Sequence, residues 1–203
     1  MSNLHIVPPA LERLIRSFSS LPGIGSKTAT RIALNILRKP QADAREMAEA
    51  LAELHISIQL CSCCLTFSED DPCAICADPR RDGSIVCVVE QSGDLIAIEK
   101  TDTYRGHYHI LHGVLSPIDG IGPEELKINE LIARIGSNGI SEILIATSST
   151  VPGEATASYL IDRLQALPVK LTRLACGIPM GMDIKHADKY TLAKAIERRS
   201  HAS

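Results

Sequence analysis

The chain has 203 residues, 45% of them hydrophobic, and a formal net charge of −3; that apolar content excludes a disordered or fibrous chain, and the length suits one or two small domains. Aromatic residues make up only 3%, with no Trp, which argues against base-stacking platforms. No apolar run approaches the ~18–20 residues of a membrane span, and residues 1–11 show no basic segment leading into an apolar one, so the expected location is cytoplasmic.

The acidic total hides a pattern. Residues 1–39 carry a net +5, residues 82–162 a net −8 and residues 163–203 a net +5. For nucleic-acid binding, this distribution matters more than the sum.

In chain order, residues 9–60 are predicted to be helical. Leu11, Leu14, Ile15 and Phe18 keep helical spacing. Leu21-Pro22-Gly23-Ile24-Gly25 interrupts it, and Ser26 is the expected cap of the next helix. Ala29, Ile32, Ala33, Ile36 and Leu37 form one apolar face, and Pro40 ends that helix. Asp43 and Glu46 have capping-box spacing ahead of a third helix bearing Met47, Leu51, Leu54 and Ile58. Two helices joined by a glycine turn leave backbone N–H groups free to bind phosphate oxygens, and the helix dipole favours the anion. Gly23 and Gly25 permit close approach of a backbone. Lys27 and Arg31, four residues apart, share a face away from the apolar stripe. The constellation resembles the helix-hairpin-helix of DNA-binding proteins, which reads phosphates without base specificity. The competing reading is an ordinary helix–helix turn with a solvated basic face. A phosphate-binding loop of the nucleotide-hydrolase type is excluded, because the chain contains no Gly-Lys pair.

Seven Cys in a chain without an export signal suggest a metal rather than disulfides. Cys61-x2-Cys64 and Cys73-x2-Cys76 are two knuckles eight residues apart, and four thiolates suit a closed tetrahedral Zn²⁺ site, structural rather than catalytic. Cys63 makes the first knuckle ambiguous, although Cys61-x-Cys63 is a poorer bite, and a set of buried free thiols is the alternative. Cys87 and Cys176 read as core or neighbour-contact thiols.

From residue 84 the pattern changes. Residues 85–89 read as a buried strand, 95–99 as helix, 107–114 as strand, 124–135 as helix, 143–147 as strand, 154–167 as helix, 169–174 as strand and 188–199 as a final helix. Alternating strand and helix implies a mostly parallel sheet with helices on its faces. Glu90 is expected at the C-terminal edge of the first of these strands, where such sheets place their sites. The turn from Ser148 to Glu154 resembles the D-x-D-x-x-G-E turn of the Toprim domain of topoisomerases and primases, whose two Asp hold Mg²⁺. Here those positions are Ser148 and Thr150, poor ligands for a hard dication. Glu90 and Glu154 remain, with Asp119 as a third candidate acid.

Helix-hairpin-helix, four-cysteine finger and Toprim domain, in that order over nearly the whole chain, resemble the RecR family of bacterial recombination mediators. Matching stretches are Leu21-Pro22-Gly23-Ile24-Gly25, Cys76-Ala77-Asp78-Pro79-Arg80-Arg81-Asp82, Gly113-Val114-Leu115-Ser116-Pro117 with Asp119-Gly120-Ile121-Gly122-Pro123, and Gly177-Ile178-Pro179. The implied fold class is α+β multidomain: a helix-hairpin-helix region at 1–54, a four-cysteine zinc finger at 55–80, an α/β Toprim domain with a mostly parallel sheet at 81–176, and a C-terminal strand/helix tail at 177–203 as an oligomer contact. The implied function is a non-enzymatic DNA clamp with no catalytic residues. It would form a homo-tetramer ring and work with RecO or RecF to load RecA onto single strands coated by single-strand-binding protein. Gly23, Gly25, Lys27 and Arg31 would meet DNA; Cys61, Cys64, Cys73 and Cys76 would hold one zinc; an acidic Toprim surface of Glu90, Asp119 and Glu154 would dock the partner. Two places depart from the family pattern. Pro152 stands where the family has Glu, and Gly181-Met182-Asp183-Ile184-Lys185-His186 stands where it reads Gly-Gly-x-Leu-Glu-Tyr. The competing functions are a Mg²⁺-dependent Toprim nuclease or topoisomerase, whose nucleophilic Tyr has no recognisable context here, and a zinc-stabilised adaptor that binds only protein.

Overall fold

A computed structural model describes residues 7–137 and 139–199. The chain divides into two compact units, one ending at Ile58 and the other beginning at Gln59. No helix among the described residues is long and apolar enough to cross a membrane.

The first unit holds three helices: α1 (Pro9–Ser19), α2 (Ser26–Arg38) and α3 (Gln41–Ser57). Ala29 and Ala33, one turn apart on α2, are fully buried, and α1 is the helix that packs most closely on α2. The rest of the stripe is only partly covered, and Leu37 is 70% exposed. Two expected caps are not used. The α2 cap is Gly25, with Ser26 already helical, and the α3 cap is Pro40, which places Asp43 inside the first turn. Gly25 and Pro40 both have the extended ψ that a cap requires, 164° and 145°, so the helices start before the polar residues are reached.

The second unit opens with a small ribbon, β1 (Gln59–Leu60) antiparallel to β2 (Phe67–Ser68), and one helical turn, α4 (Ala74–Ala77). The remaining elements are β3 (Asp82–Val89), α5 (Ser92–Glu99), β4 (Gly106–Ile110), α6 (Ile128–Ser137), β5 (Glu142–Ile145), α7 (Val151–Leu164), β6 (Lys170–Arg173) and α8 (Lys189–Glu197). The sheet order is β4-β3-β5-β6, and every neighbouring pair is parallel. This is the mixed architecture expected from the sequence: a helical N-terminal region, a cysteine cluster, a parallel sheet and a helical tail.

The alternation of side chains along β3 builds two cores. Val86 and Val88 join Ile143 and Ile145 of β5 under α6 and α7, where Leu131, Leu160 and Leu164 are fully buried; each such side chain contributes roughly 1.5–3 kcal/mol. Cys87 and Val89 face the other way, against Tyr108, Ile110 and Leu95. Cys61, Cys64 and Cys73 belong to this second core.

Three boundaries moved for local reasons. The helix expected at 124–135 starts at Ile128, because the Glu125 carboxylate accepts from the Gly122 N–H at 2.8 Å and shapes a turn instead. The strand expected at 107–114 stops at Ile110, because His112 takes a left-handed φ of 61°. The helix expected from 154 starts at Val151, because Thr150 caps it by accepting from the Gly153 N–H, and Pro152 needs no donor in the first turn.

Candidate nucleic-acid interface and metal centre

The link between α1 and α2 is a type II turn. Pro22 and Gly23 fill its two central places, and the Ile24 N–H donates to the Leu21 carbonyl at 3.1 Å. Gly23 has φ +76°, a conformation that a side chain resists. A Cβ on Gly23 or Gly25 would meet no atom within 4 Å. The turn is therefore bare on its outer side. No side chain caps α2 and no acid lies in its first turn, so its first N–H groups keep their capacity for an outside acceptor. Lys27 and Arg31 are both exposed, and neither makes an ion pair among the described residues.

In the second unit, Cys61, Cys64, Cys73 and Cys76 place their sulfurs within 4.8 Å of one another. Four thiolates around a tetrahedral Zn²⁺, each bonded at ~2.3 Å, would lie about 3.8 Å apart; Cys64 and Cys73 are at 3.6 Å. The Cys73 N–H donates to the Cys61 sulfur at 3.3 Å. Cys63 is exposed and outside the group. The thiols conflict electrostatically on their own. A hydrogen bond from Cys76 pulls Cys64 down to about 5. Burial pushes Cys73 up to about 11, and Cys76 is pushed up by its hydrogen bond to Cys64 and by burial. A divalent cation removes that conflict, so the donor set fits zinc.

The finger is tied to the sheet by polar contacts as well as by its core. The Ile110 N–H donates to the Cys64 carbonyl at 2.9 Å. The His112 Nε2 donates to the Leu65 carbonyl at 2.7 Å, and its ring lies edge-on to Phe67 at 5.7 Å. Leu65 and His112 both have left-handed φ, 65° and 61°, a cost of ~1–3 kcal/mol each that the joint must offset. Just past the finger, the Arg81 guanidinium pairs with Glu99 and donates to the Gly106 carbonyl at 3.1 Å, while the Tyr108 hydroxyl donates to Glu99 at 2.6 Å. Arg81 holds the Glu99 carboxyl below its usual range. His112, Glu99 and Tyr108 had no signal in the sequence; Arg81 had only its place in the matched stretch from Cys76 to Asp82.

At the C-terminal end of the sheet, connections leave β3 and β5 in opposite directions, the place where such folds bind ligands. Glu90 follows β3 and accepts from the Ser148 N–H at 2.6 Å, so it spans this switch point. Only Gly fits at 153: a Cβ there would lie 2.3 Å from the Ser148 carbonyl and 2.9 Å from the Glu90 carboxylate. Ser148 and Thr150 bond to each other at 2.7 Å. Glu154 is held by both arms of Arg173, at 2.7 and 2.9 Å, which lowers its pKa. Asp119 sits apart on an exposed turn and accepts from the Ser116 hydroxyl at 2.5 Å; no hydrogen bond or ion pair among the described residues joins it to Glu90 or Glu154. One carboxylate is committed to an amide, another to a guanidinium, and the remaining turn positions are hydroxyls. This donor set does not fit a Mg²⁺ ion. A cavity of about 430 Å³ adjoins this end, lined by Ser149, Glu154, Cys176, by Tyr190 and Lys194 of α8, and by Arg198 just after that helix.

A bare helical hairpin, a four-thiol finger and a Toprim-type parallel sheet on one chain define a multidomain protein of the nucleic-acid maintenance class. Family models match in the same order: RecR helix-hairpin-helix at 11–55, the RecR zinc finger domain of the four-cysteine type at 58–78, Toprim domain at 84–175 and RecR C-terminal at 177–200. Recombination protein RecR of Anaeromyxobacter sp. (strain Fw109-5) is 52% identical over 193 residues, covering 95% of this chain and 98% of the relative. The RecR proteins of Heliobacterium modesticaldum and Syntrophobacter fumaroxidans are each 48% identical, covering 92% and 95% of this chain and 94% and 96% of theirs. The chain belongs to the RecR family of recombination proteins.

Proposed function

We propose that this chain is a non-enzymatic, cytoplasmic DNA clamp that acts with RecO or RecF to load RecA onto single strands coated by single-strand-binding protein. One observation carries the reading: an uncapped helix start beside a bare glycine turn, flanked by exposed Lys27 and Arg31, in a chain of the RecR family. Gly23, Gly25, Lys27 and Arg31 contact phosphates, and affinity is independent of base sequence. Cys61, Cys64, Cys73 and Cys76 hold one zinc per chain, which closes the finger without taking part in a reaction. The regions run 1–54, 55–80, 81–176 and 177–203. The partner docks on the Toprim surface. Of its three acids, Asp119 is exposed while Glu90 and Glu154 are half-buried and give that surface its shape through Ser148 and Arg173. The lack of a fitting Mg²⁺ donor set supports a non-enzymatic role over a nuclease. Exposed Leu37, Met47, Leu51 and Leu54 on the helical unit support assembly into a tetramer ring.

The test is fluorescence anisotropy on duplex DNA at several salt concentrations. Replacing both Lys27 and Arg31 by Ala is expected to weaken binding equally for unrelated sequences. It should also flatten the log–log salt slope by about 0.9 per lost phosphate contact. Wild-type affinity and slope in the double variant would remove the hairpin from the interface.

A further inference from the structure

Five cysteines lie between positions 61 and 76, and only four join the cluster. The fifth, Cys63, is exposed. It lines a cavity of about 310 Å³ whose wall also includes Cys76, Gly83, His107 and Arg134. The four cluster thiols are not equally protected. Cys61, Cys64 and Cys73 are buried, and Cys76 is only half-buried. Solvent therefore reaches the cluster at Cys76, and at that opening stands a thiol that takes no part in the cluster. His107 and Arg134 line the same space, and it is the exposure of the Cys63 thiol there that opens it to a small oxidant.

We propose that Cys63 is a peroxide-sensitive thiol which, once oxidised, pairs with Cys76 and opens the metal site. The inference rests on the reading of the four thiols as zinc ligands. In the first step the Cys63 sulfur attacks hydrogen peroxide: an S–O bond forms, the O–O bond breaks and hydroxide leaves, giving a sulfenic acid. In the second step the Cys76 sulfur gives up the metal and attacks the Cys63 sulfur: an S–S bond forms, the S–O bond breaks and a second hydroxide leaves. The two sulfurs lose two electrons to peroxide, and its two oxygens leave as hydroxides that take up the Cys63 proton and one proton from solvent to become two waters. With Cys76 in the disulfide, three of the four sulfurs would remain for a zinc ion, which would be held more weakly and lost to a chelator. A dithiol reductant reverses the S–S bond by thiol exchange and, with added zinc, restores the site.

The test uses the full-length, reduced protein exposed to hydrogen peroxide. Zinc release is followed with a chromogenic chelator, and disulfides are mapped by peptide mass spectrometry. The wild type is expected to release its zinc as a Cys63–Cys76 linkage accumulates. Cys63→Ser should hold the same zinc before oxidation and release it about fivefold or more slowly, because the accessible thiol that initiates exchange is gone. Cys176→Ser should behave as wild type, and dithiothreitol with zinc should reverse the change. Equal release rates in wild type and Cys63→Ser, or a linkage that omits Cys76, would overturn the proposal and leave the zinc reading intact. Loss of zinc from untreated Cys63→Ser would make Cys63 a ligand and overturn it as well. Absence of zinc from the untreated wild type, before any peroxide, would remove the metal reading and this inference together.

Discussion

At the residue scale, the buried His109 shows how the sheet tolerates a titratable group. It is 1% exposed. Its Nε2–H donates to the Lys127 carbonyl at 2.7 Å, and its Nδ1 has no partner among the described residues. Burial pulls its pKa from the usual 6.5 down to about 4. An unfolded His binds a proton near pH 6.5 while the folded one does not, so this group's contribution to stability falls as pH drops from about 6.5 toward 4, by up to about 3 kcal/mol. Above pH 6.5 it is neutral in both states and contributes no pH dependence. The expected outcome is a Tm that declines over that interval, with a shallower decline in His109→Gln. Parallel Tm–pH curves for the two proteins would assign the decline to other groups.

At the scale of elements, the finger and the sheet form one structure. The four thiols close a segment with little apolar content of its own, which the spacing already showed. What the spacing did not show is that three of those cysteines also pack against Cys87, Val89, Tyr108 and Ile110, covering one face of the sheet. Removing the metal should therefore destabilise the parallel-sheet domain as well as residues 61–81. Structural zinc is coupled directly to folding, and at this chain size 1 kcal/mol corresponds to about 2–4 °C. Chelation is expected to lower the Tm of the sheet domain by roughly 10 °C, read by scanning fluorimetry alongside zinc content. A sheet domain that melts unchanged after complete zinc loss would show that the finger is only an appendage. The helix α7 gives the complementary case. Its Pro152 is accommodated because the first turn of a helix requires no donor there, so the element stays intact with a proline two residues before Glu154.

At the scale of the whole molecule, the charge pattern and the exposed apolar residues belong to surfaces rather than to the cores. The basic first segment carries the bare hairpin, and exposed Leu37, Met47, Leu51 and Leu54 lie in the same helical unit. If these residues are assembly contacts, light scattering should give the mass of four chains. Leu51→Glu with Leu54→Glu should lower that mass while leaving the helical circular dichroism signal in place. An unchanged mass in that variant would move the assembly contact elsewhere, and a monomeric wild type, with or without DNA, would dismiss the ring.

Residue types and spacing by themselves determined the helical hairpin, the two thiol knuckles and the alternation of strand and helix. Those features depend on local backbone chemistry: a turn that demands Gly23, a tetrahedral donor set, and the periods of strand and helix. Spacing already favoured Cys64 over Cys63, and the tertiary structure groups Cys61, Cys64, Cys73 and Cys76 and leaves Cys63 outside. It also decided that Glu90 and Glu154 are answered by Ser148 and Arg173, and that the finger rests on the sheet through His112. The contacts of Glu90 with Ser148 and of His112 with Leu65 join segments 58 and 47 residues apart, and no local pattern encodes which long-range partner will neutralise a charge or cover a thiol. The net charge of −3 had the same limit, since its sum conceals where each charge ends up and what faces it.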